Sequence, residues 1–235
     1  MSLKTAMILA AGRGSRLAPL TDRLPKPMVD IDGRPLIFHQ LHWLSEAGVE
    51  RVVINLHYLG DQISAAVGDG RAFGLEVIYS KEAQALETGG GIHHAATLLG
   101  EHPFILLNGD IFTDFDFSRL PHRLPPHIAA HILLTPTPVS RSEGDFGFQH
   151  RRANRQARDY VYCGISVMRH RFAAPPPTSK TPAFSLREPL FQAAEKGLLA
   201  GQLLDAQWTD IGTLMELERL RSQIKHERPR RQYPQ

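Results

Sequence analysis

Cysteine is almost missing from this chain: Cys163 is the single one in 235 residues. One thiol excludes an internal disulfide and leaves no thiolate cluster for a metal. It sits in Tyr160-Val161-Tyr162-Cys163-Gly164-Ile165, and there it reads as a small buried strand residue rather than a nucleophile. His39, His42 and the His93-His94 pair lack a third partner at zinc-binding spacing, so they read as ordinary packing or exposed residues. Long apolar runs are missing too. No stretch approaches the ~20 residues of a membrane span, and the first residues lead into a strand without a signal-peptide core. The expected location is the cytoplasm, with no membrane partner. No internal repeat occurs, and without a hexapeptide period a fused β-helical acyltransferase domain is excluded. Nucleic acid is not expected as a partner, because no basic stripe interleaves with aromatic residues. The net charge of +3 is explained by the tail, where Lys225, Arg228, Arg230 and Arg231 face only Glu227. Residues 225–235 read as a frayed, solvated basic tail.

What is present suffices for a full core, since 42% of the residues are hydrophobic. Strand-like runs at 4–9, 51–56, 75–79 and 103–107 alternate with helix-like segments at 35–47, 60–67 and 89–99. That order predicts an α/β fold, a Rossmann-like, mostly parallel sheet flanked by helices. Leu36, Ile37, Gln40, Leu41 and Leu44 fall at helical spacing, and Gly48 closes that helix. Val52-Val53-Ile54 and Phe104-Ile105-Leu106-Leu107 are continuous apolar runs, as strands covered on both faces require. Beyond about residue 120 the texture changes. Prolines at 121, 125, 126, 136 and 138 separate shorter strand candidates at 128–134, 145–149 and 160–168. The sheet is expected to extend there into a smaller lobe, within a single domain over 1–224 divided near residue 115. Pro175 through Pro182 reads as an extended connector. Ser185-Leu186-Arg187-Glu188 has capping-box spacing for a helix reaching about Lys196, and Leu214–Ile224 is the last helix.

The most informative segment is Leu9 to Pro27, LAAGRGSRLAPLTDRLPKP. It follows the first strand, and in such sheets ligands sit at the carboxyl ends of strands. Ala10, Ala11, Gly12 and Gly14 let backbone N–H groups approach phosphate oxygens. Arg13 lies between the two glycines. Arg16 offers a planar charged fork and Lys26, between two prolines, a point charge. A Rossmann fingerprint would need a third glycine or alanine where Leu17 stands, and a Walker-type loop would need Gly-Lys-Ser/Thr. Both alternatives fail on residues. Gly12 through Met28 instead resembles the signature of the sugar-phosphate nucleotidyltransferases, GxGxRLxPLTxxxPKPM, with Ser15 in place of the commoner Thr and its hydroxyl kept.

The resemblance implies a nucleoside triphosphate and a sugar 1-phosphate as substrates, with magnesium as cofactor. Asn108-Gly109-Asp110 follows a strand, and Trp208-Thr209-Asp210-Ile211-Gly212-Thr213 lies a hundred residues further on. Magnesium prefers one or two carboxylates plus phosphate oxygens and water. Asp110 and Asp210 are therefore the expected metal ligands, as the family's matching boxes also imply. Lys26 would hold the α-phosphate and the incoming phosphate, and Arg16 the β- and γ-phosphates. The glycine run in Gln84-Ala85-Leu86-Glu87-Thr88-Gly89-Gly90-Gly91 opens a helix and suggests close approach of a flat ligand. By resemblance it meets the nucleobase, with Glu87 accepting the N3–H of uracil or thymine and Gly89 leaving room for the ring; guanine also offers an N–H.

The short chain, the LETGGGI segment and the Glu143-Gly144-Asp145-Phe146 box look like the N-acetylmuramate 1-phosphate uridylyltransferases. By that resemblance UTP is the favoured nucleotide, and Asn108 and Asp145 contact the acceptor sugar. An arginine such as Arg141 or Arg151 is expected to face the lactyl carboxylate of muramate. The basic cluster Arg151, Arg152, Arg155 and Arg158 otherwise reads as a solvated face. Mannose 1-phosphate guanylyltransferase and a catalytically silent nucleotide-sugar sensor are the alternatives. Nothing in the sequence decides between monomer and dimer.

Overall fold

The computed structural model describes residues 3–139, 141–175 and 181–227. Most of the connector expected at 175–182, and the basic tail beyond Glu227, lie outside the described residues. The first strand, β1 (Thr5–Leu9), is followed by a loop containing three short 3-10 turns. A small hairpin, β2 (Asp30–Ile31) and β3 (Arg34–Pro35), leads into α1 (Leu36–Glu46). Gly48, at φ 80°, stops that helix by returning its N–H to the Ser45 carbonyl at 2.9 Å, a left-handed position that favours glycine. Then come β4 (Arg51–Leu56), α2 (Gly60–Val67), β5 (Glu76–Lys81), α3 (Glu87–His94), α4 (Ala96–Leu99) and β6 (Phe104–Asn108). The second half holds β7 (Ile111–Thr113), β8 (Ala130–Pro136), β9 (Gly147–Gln149), β10 (Arg152–Asn154), β11 (Tyr160–Met168), α5 (Arg187–Glu195), β12 (Leu199–Leu203), β13 (Trp208–Asp210) and α6 (Leu214–Glu227).

Nine strands form one mixed sheet in the order β5-β4-β1-β6-β11-β8-β12-β10-β9. The pairs β4–β5, β1–β4, β1–β6 and β12–β8 are parallel, while β11 runs against both of its neighbours. From β1 the chain adds β4 and β5 on one side and then returns to place β6 on the other. The switch opens a crevice at the carboxyl ends of β1 and β6, where ligands bind in open α/β sheets. Side chains alternate across the sheet with the two-residue period of a strand. Ala6, Ile8, Val52, Ile54, Ile105 and Leu107 join a core with α1, α2 and α6; Met7, Val53, Phe104 and Leu106 join a second core with α3, α4 and α5. Helices thus cover both faces.

Several boundaries differ from the sequence expectation. The helix expected over 89–99 begins two residues earlier and divides at Ala95. The capping box at 185–188 does not form, because the Ser185 hydroxyl accepts from Arg187 N at 3.2 Å, one residue short of the box, and the Glu188 carboxylate accepts from Gln192 instead. A different cap starts α6. Thr213 accepts from Glu216 N at 3.3 Å, and the Glu216 carboxylate reaches back to Gly212 N at 3.0 Å and to the Thr213 hydroxyl at 3.0 Å. The strand expected at 145–149 is shorter and pairs with β10, while Phe146 bridges to Tyr160.

One junction ties the two central strands together. Gly109 N donates to the Leu9 carbonyl at 2.9 Å, and a Cβ on Gly109 would stand 2.5 Å from that oxygen. Gly109→Ala is expected to prise apart the carboxyl ends of β1 and β6 and to cost about 1–3 kcal/mol, as overpacking does. A chemical-denaturation midpoint equal to that of the unchanged protein would contradict this.

Candidate active site

The loop after β1 is built around Gly14. It stands at φ 65°, its carbonyl accepts from Leu17 N and the Thr21 hydroxyl at 2.9 Å each, and an added Cβ would lie 3.2 Å from Lys26 and Thr21 side chains. The turn therefore needs both the left-handed conformation and the missing side chain. It lines a cleft of about 440 Å³, a size ordinary for a small-molecule site. Ala10, Ala11, Gly12, Gly14, Arg16 and Lys26, all named from the sequence, face this cleft. Arg13 does not. Its guanidinium lies 3.8 Å from Asp22 and over the Tyr58 ring, so a local ion pair and a cation–π contact draw it aside.

Asp110, which lines the cleft, and Asp210 converge on Lys26. The two-stranded ladder of β7 and β13 brings them together, pairing Asp210 with Ile111, and Ile211 N donates to the Asp110 carbonyl at 2.9 Å. Lys26 Nζ lies 2.5 Å from Asp110 Oδ2 and 3.8 Å from Asp210 Oδ1, with its side chain only 11% exposed. The other oxygen of Asp110, Oδ1, and Oδ1 of Asp210 are buried without a hydrogen-bond partner. Burial first, then the Asp110 charge, pushes the Asp210 carboxyl up to about 6, against the opposing pull of Lys26 and Arg16. Arg16 rests over Gly212, where a Cβ would come 3.2 Å from its guanidinium. Among the described residues no three His, Cys, Asp or Glu side chains cluster as a metal cage.

Gln40 was read only as part of the apolar face of α1. It is fully buried and donates both amide hydrogens to the turn that carries Asp110, to the Asn108 carbonyl at 3.0 Å and the Ile111 carbonyl at 2.9 Å. Its own oxygen has no partner. A buried amide that leaves its acceptor unsatisfied in order to make two donations serves the turn, not its own solvation.

The segment after β5 forms another wall. Leu86, Glu87 and Thr88 line the cleft, and Glu87 holds φ 59°, a strained value for a residue with a side chain. Gly89 does not line the cleft. A Cβ there would be 2.4 Å from the Phe184 ring, and the Gly89 and Gly90 N–H groups both donate to the Phe184 carbonyl. Gly89 and Gly90 are thus required by packing against residues 182–184, and Gly91 by Asn55 and Glu82, which replaces the expectation that Gly89 makes room for a ring. Asn55 and Glu82 also line the cleft and were missed. Asn55 accepts from Ala10 N at 2.7 Å and donates to Glu82 Oε1 at 2.7 Å, while Glu82 Oε2 accepts from Leu86 N at 3.2 Å. One buried chain of hydrogen bonds joins the glycine loop to the Leu86 segment. The available signal was a polar residue closing each apolar strand run.

Asn108 stands in the cleft against Gly164, whose Cβ would be 2.8 Å from the Asn108 amide nitrogen. Asp145 lies in a neighbouring pocket of about 430 Å³. Its Oδ2 is 3.5 Å from Arg141 and its Oδ1 accepts from Arg187 at 3.0 Å. Arg151 is elsewhere, in the turn between β9 and β10 at φ 59°, with its carbonyl bonded to Gly201 N. Of the two arginines expected near the acceptor, Arg141 alone neighbours Asp145. Cys163 is buried, and burial pushes its thiol up, away from nucleophilic use.

The family follows from comparison with known proteins. Residues 5–161 match the nucleotidyl transferase family, and the chain belongs to it. It is 39% identical over 224 residues to the N-acetylmuramate alpha-1-phosphate uridylyltransferase of Neisseria meningitidis, covering 91% of this chain and 95% of that one. A mannose-1-phosphate guanylyltransferase of Mycobacterium tuberculosis is 38% identical over 115 residues, which is 49% of this chain and 32% of that one. Among solved structures, UDP-glucose pyrophosphorylase from Acinetobacter baumanii superposes with a TM-score of 0.77 at 18% identity, covering 97% of this chain and 95% of that one. HddC from Yersinia pseudotuberculosis gives 0.74 at 23% identity, covering 94% and 100%. These likenesses carry the fold.

Gln40→Leu keeps the volume and removes both donations. It is expected to lower stability by about 1–3 kcal/mol, the cost of unsatisfied buried carbonyls, and to weaken catalysis more than a comparable core change elsewhere. Equal activity at equal folded fraction, measured beside Leu41→Ala, would show that the turn needs no such clasp.

Proposed function

We propose that the protein transfers UMP from UTP to a sugar 1-phosphate, with N-acetylmuramate 1-phosphate as the acceptor, giving the UDP-sugar and pyrophosphate in the cytoplasm during cell-wall recycling. One observation carries the reading: a buried lysine packed against the glycine loop is clamped by two aspartates from distant parts of the chain, beside a cleft. A structural ion pair has no need of two orphaned carboxylate oxygens or an adjoining cavity.

The chemistry requires no protein nucleophile. A sugar 1-phosphate is mostly dianionic near neutral pH, its second pKa being about 6. One of its oxygens forms a bond to the α-phosphorus while the bond from that phosphorus to the bridging oxygen breaks. Pyrophosphate leaves with the electron pair. What the protein must supply is alignment of two polyanions and relief of their repulsion. Lys26 would hold the α-phosphate and the attacking phosphate, and Arg16 the β- and γ-phosphates; both line the cleft. The backbone N–H groups of Ala11 to Gly14 complete the anion cradle. Asp110 and Asp210 fit magnesium, since each keeps a buried carboxylate oxygen without a hydrogen-bond partner and both lie near Lys26. When bound, magnesium would neutralise charge that develops on the leaving oxygen. Glu87, which lines the cleft, would accept a pyrimidine N3–H. Residues 1–115 then serve the nucleotide and 116–224 the acceptor.

Crossing each nucleoside triphosphate with a panel of sugar 1-phosphates and reading pyrophosphate release tests the proposal. UTP with N-acetylmuramate 1-phosphate is the expected best pair, and a preference for GTP with mannose 1-phosphate would replace it. Lys26→Ala is expected to lower kcat/KM by about 100-fold or more, as loss of one preorganised charge stabiliser does. Asp110→Asn, Asp210→Asn and chelation with EDTA should each abolish most turnover, and only added magnesium or a similar hard cation should restore the chelated protein. A sensor without chemistry would bind UTP and release no pyrophosphate.

A further inference from the structure

The pocket beside the cleft holds more positive charge than its own acids can neutralise. Arg141, Arg158 and Arg187 line it with Glu143 and Asp145. Arg158 pairs with Glu143, and Arg155 donates to the Asp145 carbonyl. Three guanidiniums thus line the pocket with two carboxylates, and a fourth adjoins through the Asp145 backbone. Each guanidinium presents five N–H donors in a fixed fork, and Asp145 takes one from Arg141 and one from Arg187. Most donors on both forks therefore remain for another anion. The Asp145 carboxylate also shows which group these forks accept.

The two arginines are held by different neighbours, and both side chains are more than half exposed, Arg141 at 55% and Arg187 at 69%. Arg141 sits on a loop. Arg187 opens α5, and its guanidinium lies 4.9 Å from the centre of the Phe191 ring, one helical turn on. Arg155 covers the same ring at 3.7 Å, so an aromatic platform orients both. Preorganisation of that kind favours recognition of a planar group over a loose surface ion pair.

Its position relates the pocket to the reaction. Leu186 N donates to the Thr88 hydroxyl at 2.8 Å, and Thr88 lines the cleft. Arg187 is the next residue. From the opposite side, β11 carries Gly164 against Asn108 and, four residues earlier, Tyr160, whose carbonyl accepts from Asp145 N at 2.7 Å. Two links thus tie the pocket to the cleft, one from Thr88 to the residue before Arg187 and one along β11 from Gly164 to Tyr160.

We propose that Arg187, with Arg141 as the second jaw, reads a carboxylate carried by the acceptor sugar and is the residue that makes the enzyme choose an acidic sugar over its neutral counterpart. The proposal rests on the nucleotidyl transfer described above and adds the feature that selects the acceptor. N-acetylmuramate 1-phosphate and N-acetylglucosamine 1-phosphate differ only in the lactyl ether, so their ratio of kcat/KM isolates the carboxylate.

The test measures that ratio for the unchanged protein and for Arg187→Gln, Arg187→Lys and Arg141→Ala, with thermal midpoints and the KM for UTP recorded beside it. Arg187→Gln is expected to reduce the preference for the acidic acceptor by about 10- to 100-fold, the range for charge-assisted hydrogen bonds lost to an ionised group. Arg187→Lys, which keeps the charge and loses the fork, should fall between, and Arg141→Ala should give a smaller loss. A lowered turnover shared equally by both acceptors would assign Arg187 to holding the Asp145 loop and overturn the proposal. A preference in the unchanged protein that survives Arg187→Gln would overturn it while leaving the transfer reaction standing. If the unchanged protein uses neither acceptor with any nucleotide, the transfer reading fails and the subsite fails with it.

Discussion

Placing an ammonium group and two carboxylates in one poorly hydrated spot is the constraint on which the rest of this molecule depends. Burial first, and the neighbouring Asp110 charge second, oppose ionisation of Asp210 and raise its carboxyl. Lys26 relieves part of that opposition, at 2.5 Å from one acid and 3.8 Å from the other. The arrangement is unfavourable for stability taken alone, because buried charges lose hydration that their mutual attraction only partly restores. It becomes sensible in a nucleotidyl transferase, where the phosphates of the substrates bring further negative charge for Lys26 and Arg16 to meet.

The architecture supplies what that constraint demands. A sheet whose strands are covered on both faces gives a stiff base, and the switch in strand order between β1 and β6 leaves a gap at one edge only. Gly109 closes β6 onto the end of β1 with no side chain in the way, Gln40 pins the turn from behind, and Asn55 fixes the backbone of Ala10. Each contact is a backbone restraint, so the charged side chains need bring little order of their own.

The first half of the fold was legible because local patterns decide it. Apolar runs such as Val52-Val53-Ile54 could be little else than covered strands, and the glycine loop with Lys26 carries its chemistry in consecutive residues. What escaped depends on contacts distant in sequence. The pairing of Ile111 with Asp210 joins two three-residue strands too short to show a period, so the reason that the acids meet was invisible although their identity was not. The glycine run was noticed for the wrong physical cause, because Phe184, nearly a hundred positions away, sets the space available at Gly89. Arg141 and Arg151 looked equivalent as charges in a loop. Only the turn between β9 and β10 separates them, by directing Arg151 toward the far edge of the sheet.

The short ladder of β7 and β13 also acts as a clasp. The Thr113 hydroxyl bonds to the Gln207 carbonyl at 2.6 Å and Gln207 N to Asp114 at 2.7 Å, while Trp208 is anchored on the Cys163 carbonyl at 2.8 Å. The chain between those points leaves and returns at the same place, and it carries β11, which packs beside β6 and anchors Trp208. The spacing of the two acids is therefore tied to the middle of the sheet, while the loops beyond β8 and β11 bear on it only through those strands.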